Sequence, residues 1–272
     1  MSTAQTSLDD LKQRLRTIWM SGNFGQIAQY AAKGAEQFVS RIGIRRGMKV
    51  LDVACGTGNL SIPAARLGAK VTGVDIAPNL LQQARQRATA KNVEAVFDEG
   101  DAEQLSYLNG AFDVVMSVFG AMFAPRPEFV AAELLRVCRS GGAIAMANWT
   151  REGFVGQMFA VTGRHVSSPP GVPSPLLWGD ETTVRERLGS GSTALKLSRQ
   201  NMEFDYPFAP KQVVDFFRNY YGPTNAAFAR LDEQRQAALA ADLEATWSEK
   251  NQAAGDRTHV YSEYLEVIAT RA

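Results

Sequence analysis

The chain has 272 residues, enough for one large α/β domain or for a core domain carrying a smaller cap. Its 29 basic and 28 acidic residues leave a net charge of +1, which gives no electrostatic footprint for a phosphate backbone, so no nucleic-acid partner is expected. No apolar run approaches the roughly 20 residues of a membrane span, and the 45% hydrophobic and 21% charged shares are those of an ordinary globular protein.

Met1 to Asp10 is polar and acidic, without the basic-then-apolar order of a secretory signal. Ser7 to Met20 carries apolar residues at helical spacing (Leu8, Leu11, Leu15, Ile18, Trp19). Gly22, Asn23 and Gly25 interrupt that pattern, which resumes from Gln26 to Ile42 and ends near Gly43. Lys49 to Ala54 predicts the first strand, Asn59 to Leu67 a crossover helix, and Lys70 to Asp75 the second strand. Pro78 suits the first turn of a helix running to about Thr89. Val93 to Phe97 and the nearly all-apolar Phe112 to Val118 read as strands, the latter covered on both faces. A helix opens at Arg126-Pro127 and stops at Ser140-Gly141-Gly142, before a fifth strand over Ala143 to Trp149.

The character changes beyond Trp149. Ser167 to Pro175 holds four prolines and a glycine, so no regular structure is expected there, and Thr150 to Gly191 reads as an irregular insertion over the C-terminal edge of the sheet. Leu195 to Tyr206 and Thr258 to Thr270 look like an antiparallel strand pair. Between them, Lys211 to Tyr221 and Leu231 to Asn251 are helical, separated by Gly222-Pro223. The whole predicts an α/β fold: a doubly wound, Rossmann-like, mostly parallel seven-stranded sheet with an antiparallel final strand. Residues 1–47 would form a helical lid, 48–150 the binding core, 151–192 a cap insertion and 193–272 the completion of the sheet.

The segment from Val50 to Asp75 carries the chemistry. A strand, a glycine turn, a helix and a second strand ending on an acid place backbone N–H groups and carboxylates around an adenosine-type cofactor. A nicotinamide dinucleotide fingerprint wants a third glycine, but the turn reads Gly56-Thr57-Gly58-Asn59-Leu60-Ser61. Asp52 precedes the turn, where it would repel a pyrophosphate and suit an α-ammonium group. With Asp75 and Asp101, three acids stand at three successive strand ends. Asp75 can accept from both ribose hydroxyls and Asp101 from an adenine amine; a lone acid at a strand end reads equally as a helix cap. Ala54, Gly56 and Gly58 allow close approach to the backbone.

The stretches Val-Leu-Asp-Val-Ala-Cys-Gly-Thr-Gly, Val-Thr-Gly-Val-Asp, Gly-Asp-Ala-Glu and Phe-Asp-Val-Val-Met-Ser resemble the motif series of class I S-adenosylmethionine-dependent methyltransferases, nearest in flavour to the ubiquinone/menaquinone-type small-molecule branch. The likeness spans about Met48 to Thr150. It implies S-adenosylmethionine as cofactor, with Asp52 and the Ala54–Gly58 loop at its methionine end. Asp75 would take the ribose, Ile76 would lie against the adenine, Asp101 and Ala102 would read the adenine edge, and Ser117 would sit beside the sulfonium. Ala54 stands where the motif has its first glycine. The N-terminal segment Trp19 to Tyr30 resembles the part that folds over the cofactor, with Phe24 and Tyr30 as contacts.

The acceptor side is less marked. Methyl transfer needs alignment and exclusion of water, and a base only where the acceptor must lose a proton. No Asn/Asp-Pro-Pro-Tyr-type motif follows the fourth strand, which argues against DNA or glutamine as acceptor. Phe119, Met122 and Phe123 read as an apolar wall for a small acceptor or as plain core. Trp149 and Trp178 are further pocket candidates, and Tyr220 and Tyr221 either point into the pocket or pack a helix. His165 is the one imidazole base near the expected site, or simply a loop histidine. His259 reads as structural, and Cys55 lies inside the cofactor loop and is not a nucleophile. Cys55 and Cys138 suggest no disulfide and a reducing cytoplasm, and no Cys/His spacing suits a metal. The readings from other classes are a nicotinamide-dependent oxidoreductase and a protein that binds the cofactor without transferring its methyl. The sequence sets no oligomeric state.

Overall fold

The structure, a computed structural model, describes residues 3–167 and 171–272. Strands β1 (Lys49–Val53), β2 (Lys70–Asp75), β3 (Ala95–Glu99), β4 (Phe112–Val118) and β5 (Cys138–Trp149) run parallel. The long strands β6 (Ser192–Tyr206) and β7 (Thr258–Arg271) complete a seven-stranded sheet in the order β3-β2-β1-β4-β5-β7-β6, with β7 antiparallel to both its neighbours. Val50, Leu51 and Val53 on β1 and Val114, Val115 and Met116 on β4 are all buried. Helices cover both faces of these central strands, so their buried residues are apolar except for Asp52 on β1 and Ser117 on β4. The strand order reverses between β1 and β4, which opens a crevice at their C-terminal ends.

Helices α1 (Thr3–Met20), α2 (Phe24–Ala28) and α3 (Ala32–Ile42) precede the sheet; α4 (Ser61–Arg66), α5 (Pro78–Ala90) and α6 (Pro127–Val137) are its crossovers. The expected continuous helix from Gln26 to Ile42 is corrected: it begins at Phe24 and is broken by a 3-10 turn at Gln29–Ala31. The Tyr30 ring anchors that turn, packed 4.4 Å from Tyr206 and 5.7 Å from Phe216 between ring centroids.

The segment expected to be irregular is largely helical. It holds α7 (Phe154–His165), whose Phe154 and Val161 are buried on one face, and α8 (Glu181–Leu188), capped by the Asp180 side chain. Ser168, Pro169 and Pro170, where no regular structure is expected, lie outside the described residues. Helices α9 (Pro210–Tyr220), α10 (Gly222–Ala229) and α11 (Glu233–Lys250) join β6 to β7. Gly222-Pro223 opens α10 rather than leaving a bare break, because proline is suited to a first helical turn. Among the described residues no helix is long and apolar enough to cross a membrane.

Candidate active site

The turn after β1 passes through the left-handed region three times, at Ala54 (φ 55°), Gly56 (φ 52°) and Gly58 (φ 80°). A side chain is uncommon there. Room for the Ala54 residue comes from the end of β4: a Cβ on Gly120 would lie 2.6 Å from the Ala54 carbonyl oxygen and 2.7 Å from its methyl. The alanine at the first motif position therefore faces a glycine across the crevice.

Three carboxylates face the same cavity. Asp52 is buried at the end of β1 and accepts from Ser61 Oγ at 2.6 Å. Burial pushes its carboxyl up to about 7 in spite of that bond. Asp75 closes β2, accepting from the Gly56 N–H at 2.8 Å and the Ala77 N–H at 2.9 Å, and burial raises it too. Asp101 follows β3; it accepts from the Glu103 N–H at 2.8 Å and from Lys12 Nζ at 2.5 Å. Lys12 also lies 2.6 Å from the buried Glu103 carboxylate, which Arg126 holds through its Nε at 2.7 Å. A buried carboxyl raised this far prefers a cationic neighbour, so the donor set fits a ligand bearing positive charge and hydroxyls.

The cavity has a volume of about 870 Å³. One end is formed by the acids, the turn after β1 and α1. The other runs through Phe119, Met122, Phe123 and Trp149 to Phe154, Phe204, Phe217 and Trp247. The Phe119 and Trp149 rings are stacked, 3.5 Å between centroids and 5° from parallel. Trp19 of α1 closes the roof, packed against Phe123 at 5.1 Å, Tyr221 at 5.9 Å and Phe24 at 6.0 Å. Its charged lining residues, among those described, are Lys12, Asp52, Asp75, Asp101 and Arg151.

The residues expected from sequence divide in two. Asp52, Ala54, Gly56, Asp75, Ile76, Asp101 and Ala102 line the cavity, as do Phe24, Phe119, Met122 and Trp149. The others do not. Gly58 backs onto Ala84 and Phe97. Ser117 Oγ is buried between sheet strands, donating to the Val53 carbonyl at 2.7 Å and accepting from the Ala121 N–H at 3.0 Å. Tyr30 packs into the Tyr206 cluster. Trp178 is buried beneath the Arg187 guanidinium, 4.6 Å from its ring. Tyr220 is half-exposed against Phe216, while its neighbour Tyr221 lines the cavity. His165 ends α7 and meets Asp242 of α11 at 2.8 Å, away from the cavity. His259 lies beside Tyr261, and Cys55 and Cys138 are free and buried, with burial pushing the Cys55 thiol up.

Two positions of consequence carry no expectation from sequence. Lys12 belongs to a helix read only as amphipathic, and its charge is spent on Asp101 and Glu103. Arg87, a helix arginine like any other in sequence, passes behind the glycine turn. Its guanidinium donates to the Thr57 carbonyl at 2.6 Å and to Thr57 Oγ1 and Asn59 Oδ1 at 2.8 Å each. Asn59 Nδ2 then donates to the Ala28 carbonyl at 2.8 Å, linking α5, the turn and α2.

Residues 50–142 match the Methyltransferase domain family. The chain is 39% identical over 233 residues to an uncharacterized protein of Mycobacterium tuberculosis, covering 85% of each. It is 33% identical over 128 residues to a phosphatidylethanolamine N-methyltransferase of Cereibacter sphaeroides, covering 46% of this chain and 61% of that one. The fold resembles that of the YcgJ protein of Bacillus subtilis, with a TM-score of 0.61 at 15% identity over 87% of this chain and 97% of that one. It also resembles a Haemonchus contortus phosphoethanolamine N-methyltransferase solved with S-adenosyl-L-methionine, with a TM-score of 0.55 at 16% identity over 88% and 53% of the two chains.

Proposed function

This chain belongs to the class I S-adenosylmethionine-dependent methyltransferases, and we propose that it moves the methyl group of that cofactor to a small-molecule acceptor held in the apolar half of the cavity. The observation that carries the proposal is the division of one cavity into an acid-lined end and an aromatic end that meet at the crevice between β1 and β4. A buried apolar wall suits the small-molecule, ubiquinone/menaquinone-type branch read from the motifs better than a polymer.

When bound, S-adenosylmethionine supplies an electrophilic methyl carbon on a sulfonium. Asp52, ionised, would hold the α-ammonium end. Asp75 would accept from the ribose hydroxyls while keeping Gly56 in place through its N–H. Asp101 and Ala102 would face the adenine edge, and Ile76 its ring. Phe119 and Met122 would present apolar wall beside the reacting methyl, with Trp19 of α1 packed against Phe123 above them. Aligning two partners in this way can lower a barrier by about 7–11 kcal/mol. An acceptor that enters neutral must give up its proton to solvent water, since the described lining from Ala121 onward offers neither carboxylate nor imidazole.

The test is incubation of the protein with methyl-labelled cofactor and a fractionated small-molecule extract. Label should enter a low-mass fraction and fail to do so with Asp75→Ala. Label recovered only in macromolecules would contradict a small-molecule acceptor.

A further inference from the structure

We propose that the acceptor is an uncharged, hydrophobic hydroxyl compound, methylated on oxygen, and that the Tyr221 hydroxyl holds that oxygen. The proposal rests on the methyltransferase reading above and names the substrate class of the same site.

The first ground is charge. Past Gly120, the described lining residues include no carboxylate, and the one charged side chain, Arg151, is exposed. A basic amine acceptor would take the methyl and remain a substituted ammonium, moving the positive charge from sulfur into the aromatic half. A buried cation with no carboxylate partner is disfavoured, and the aromatic ring faces offset only part of that cost. A hydroxyl acceptor removes the charge instead. Its oxygen lone pair forms the bond to the methyl carbon, the carbon–sulfur bond breaks with its electron pair left on sulfur, and the hydroxyl proton leaves to water. The ether and thioether products are both neutral at the reacting atoms, which an apolar cavity favours.

The second ground is Tyr221. It lines the cavity with its ring 5.7 Å from Phe217, 5.9 Å from Trp19 and 6.1 Å from Phe24. Tyr221 is half-buried, its hydroxyl has no hydrogen-bond partner among the described residues, and desolvation pushes that hydroxyl's pKa up. A protonated hydroxyl in an apolar wall is a donor awaiting an acceptor atom. A substrate oxygen can accept from it with one lone pair while the other attacks the methyl, whereas an amine nitrogen has a single lone pair and cannot do both. Tyr221 is thus assigned as a positioning residue that fixes which oxygen meets the methyl.

The experiment is calorimetric titration of the full chain, first with S-adenosylhomocysteine, then, with that product bound, with naphthol, naphthylmethanol, an alkylphenol and naphthylmethylamine at neutral pH. At least one hydroxyl compound should bind at least about 100-fold more tightly than the amine. Tyr221→Phe should weaken the best of them by about tenfold and leave S-adenosylhomocysteine affinity within twofold. An amine bound as well as the hydroxyl compounds, or no hydroxyl compound bound at all, overturns the substrate class. Unchanged affinity in Tyr221→Phe overturns the role of that residue. Failure of S-adenosylhomocysteine itself to bind would instead strike the methyltransferase reading, so the two failures are distinct.

Discussion

The Lys12 ammonium lies 2.5 Å from the Asp101 carboxylate, joining α1 to the exit of β3. Lys12 also pairs with Glu103, and its neighbour one turn on, Arg16, with Glu99 at 2.6 Å. Helix α1 is therefore held against the cavity through charge as well as through Trp19.

Replacing Lys12 by Met should leave the sheet intact and free α1. S-adenosylhomocysteine should then leave about three- to tenfold faster in stopped-flow displacement, because a half-buried pair of this kind acts mainly on the rate of release. The salt dependence of that rate should shrink in the variant. An unchanged rate would show that α1 is held by its apolar contacts alone.

Asp52 sets a pH dependence. Its carboxyl is raised from 3.8 to about 7 in the free protein by burial, so the native state loses stability as pH climbs through that window, where the unfolded chain ionises first. A cationic ligand favours the ionised form. Binding below pH of about 7 must therefore release a proton, and affinity should rise by up to roughly tenfold per pH unit before levelling. Calorimetry with S-adenosylhomocysteine between pH 5.5 and 7 should show that slope, and Asp52→Asn should bind weakly without it. A flat profile in the unmodified protein would mean that Asp52 does not meet the cation.

How much of this was legible in sequence follows from where the constraint is local. Strands β1 and β2 read as apolar runs that carry Asp52 and Asp75 at their ends, and Asp101 follows β3, so that half of the site is visible in order. The cap is different. Phe154, Met158 and Val161 keep helical spacing, but the proline cluster downstream dominates the composition of the segment and hides it. Tyr221 was separable from Tyr220 only by the stripe Val213–Phe217–Tyr221, four residues apart, which continues the buried face of α9. Lys12 and Arg87 could not be read at all, since their partners lie 89 and 30 residues away and an exposed helix cation looks the same without them.

Arg87→Ala should loosen the glycine turn by removing its hydrogen bonds to Thr57 and Asn59. Bonds from a charged donor contribute about 1.5–3 kcal/mol. Affinity for S-adenosylhomocysteine should fall by at least about tenfold, with Arg87→Lys intermediate because an ammonium cannot reach as many acceptors at once. Equal affinity in all three proteins would show that the turn holds its shape unaided.

His165→Ala should leave cofactor binding and methyl transfer unchanged, since its imidazole meets Asp242 where α7 packs on α11 and does not line the cavity. The loss in stability should stay below about 1 kcal/mol, as for other exposed ion pairs. A fall in turnover of more than tenfold at constant stability would return His165 to the site.

The central claim is that Asp52, Asp75 and Asp101 together hold the cofactor, and Asp75 carries its most direct test. Isothermal titration of S-adenosylhomocysteine should give saturable heat with the unmodified chain, and an affinity at least about 100-fold lower with Asp75→Ala while the circular dichroism spectrum is retained. No heat with the unmodified chain, or equal affinity in a folded Asp75→Ala, would contradict it.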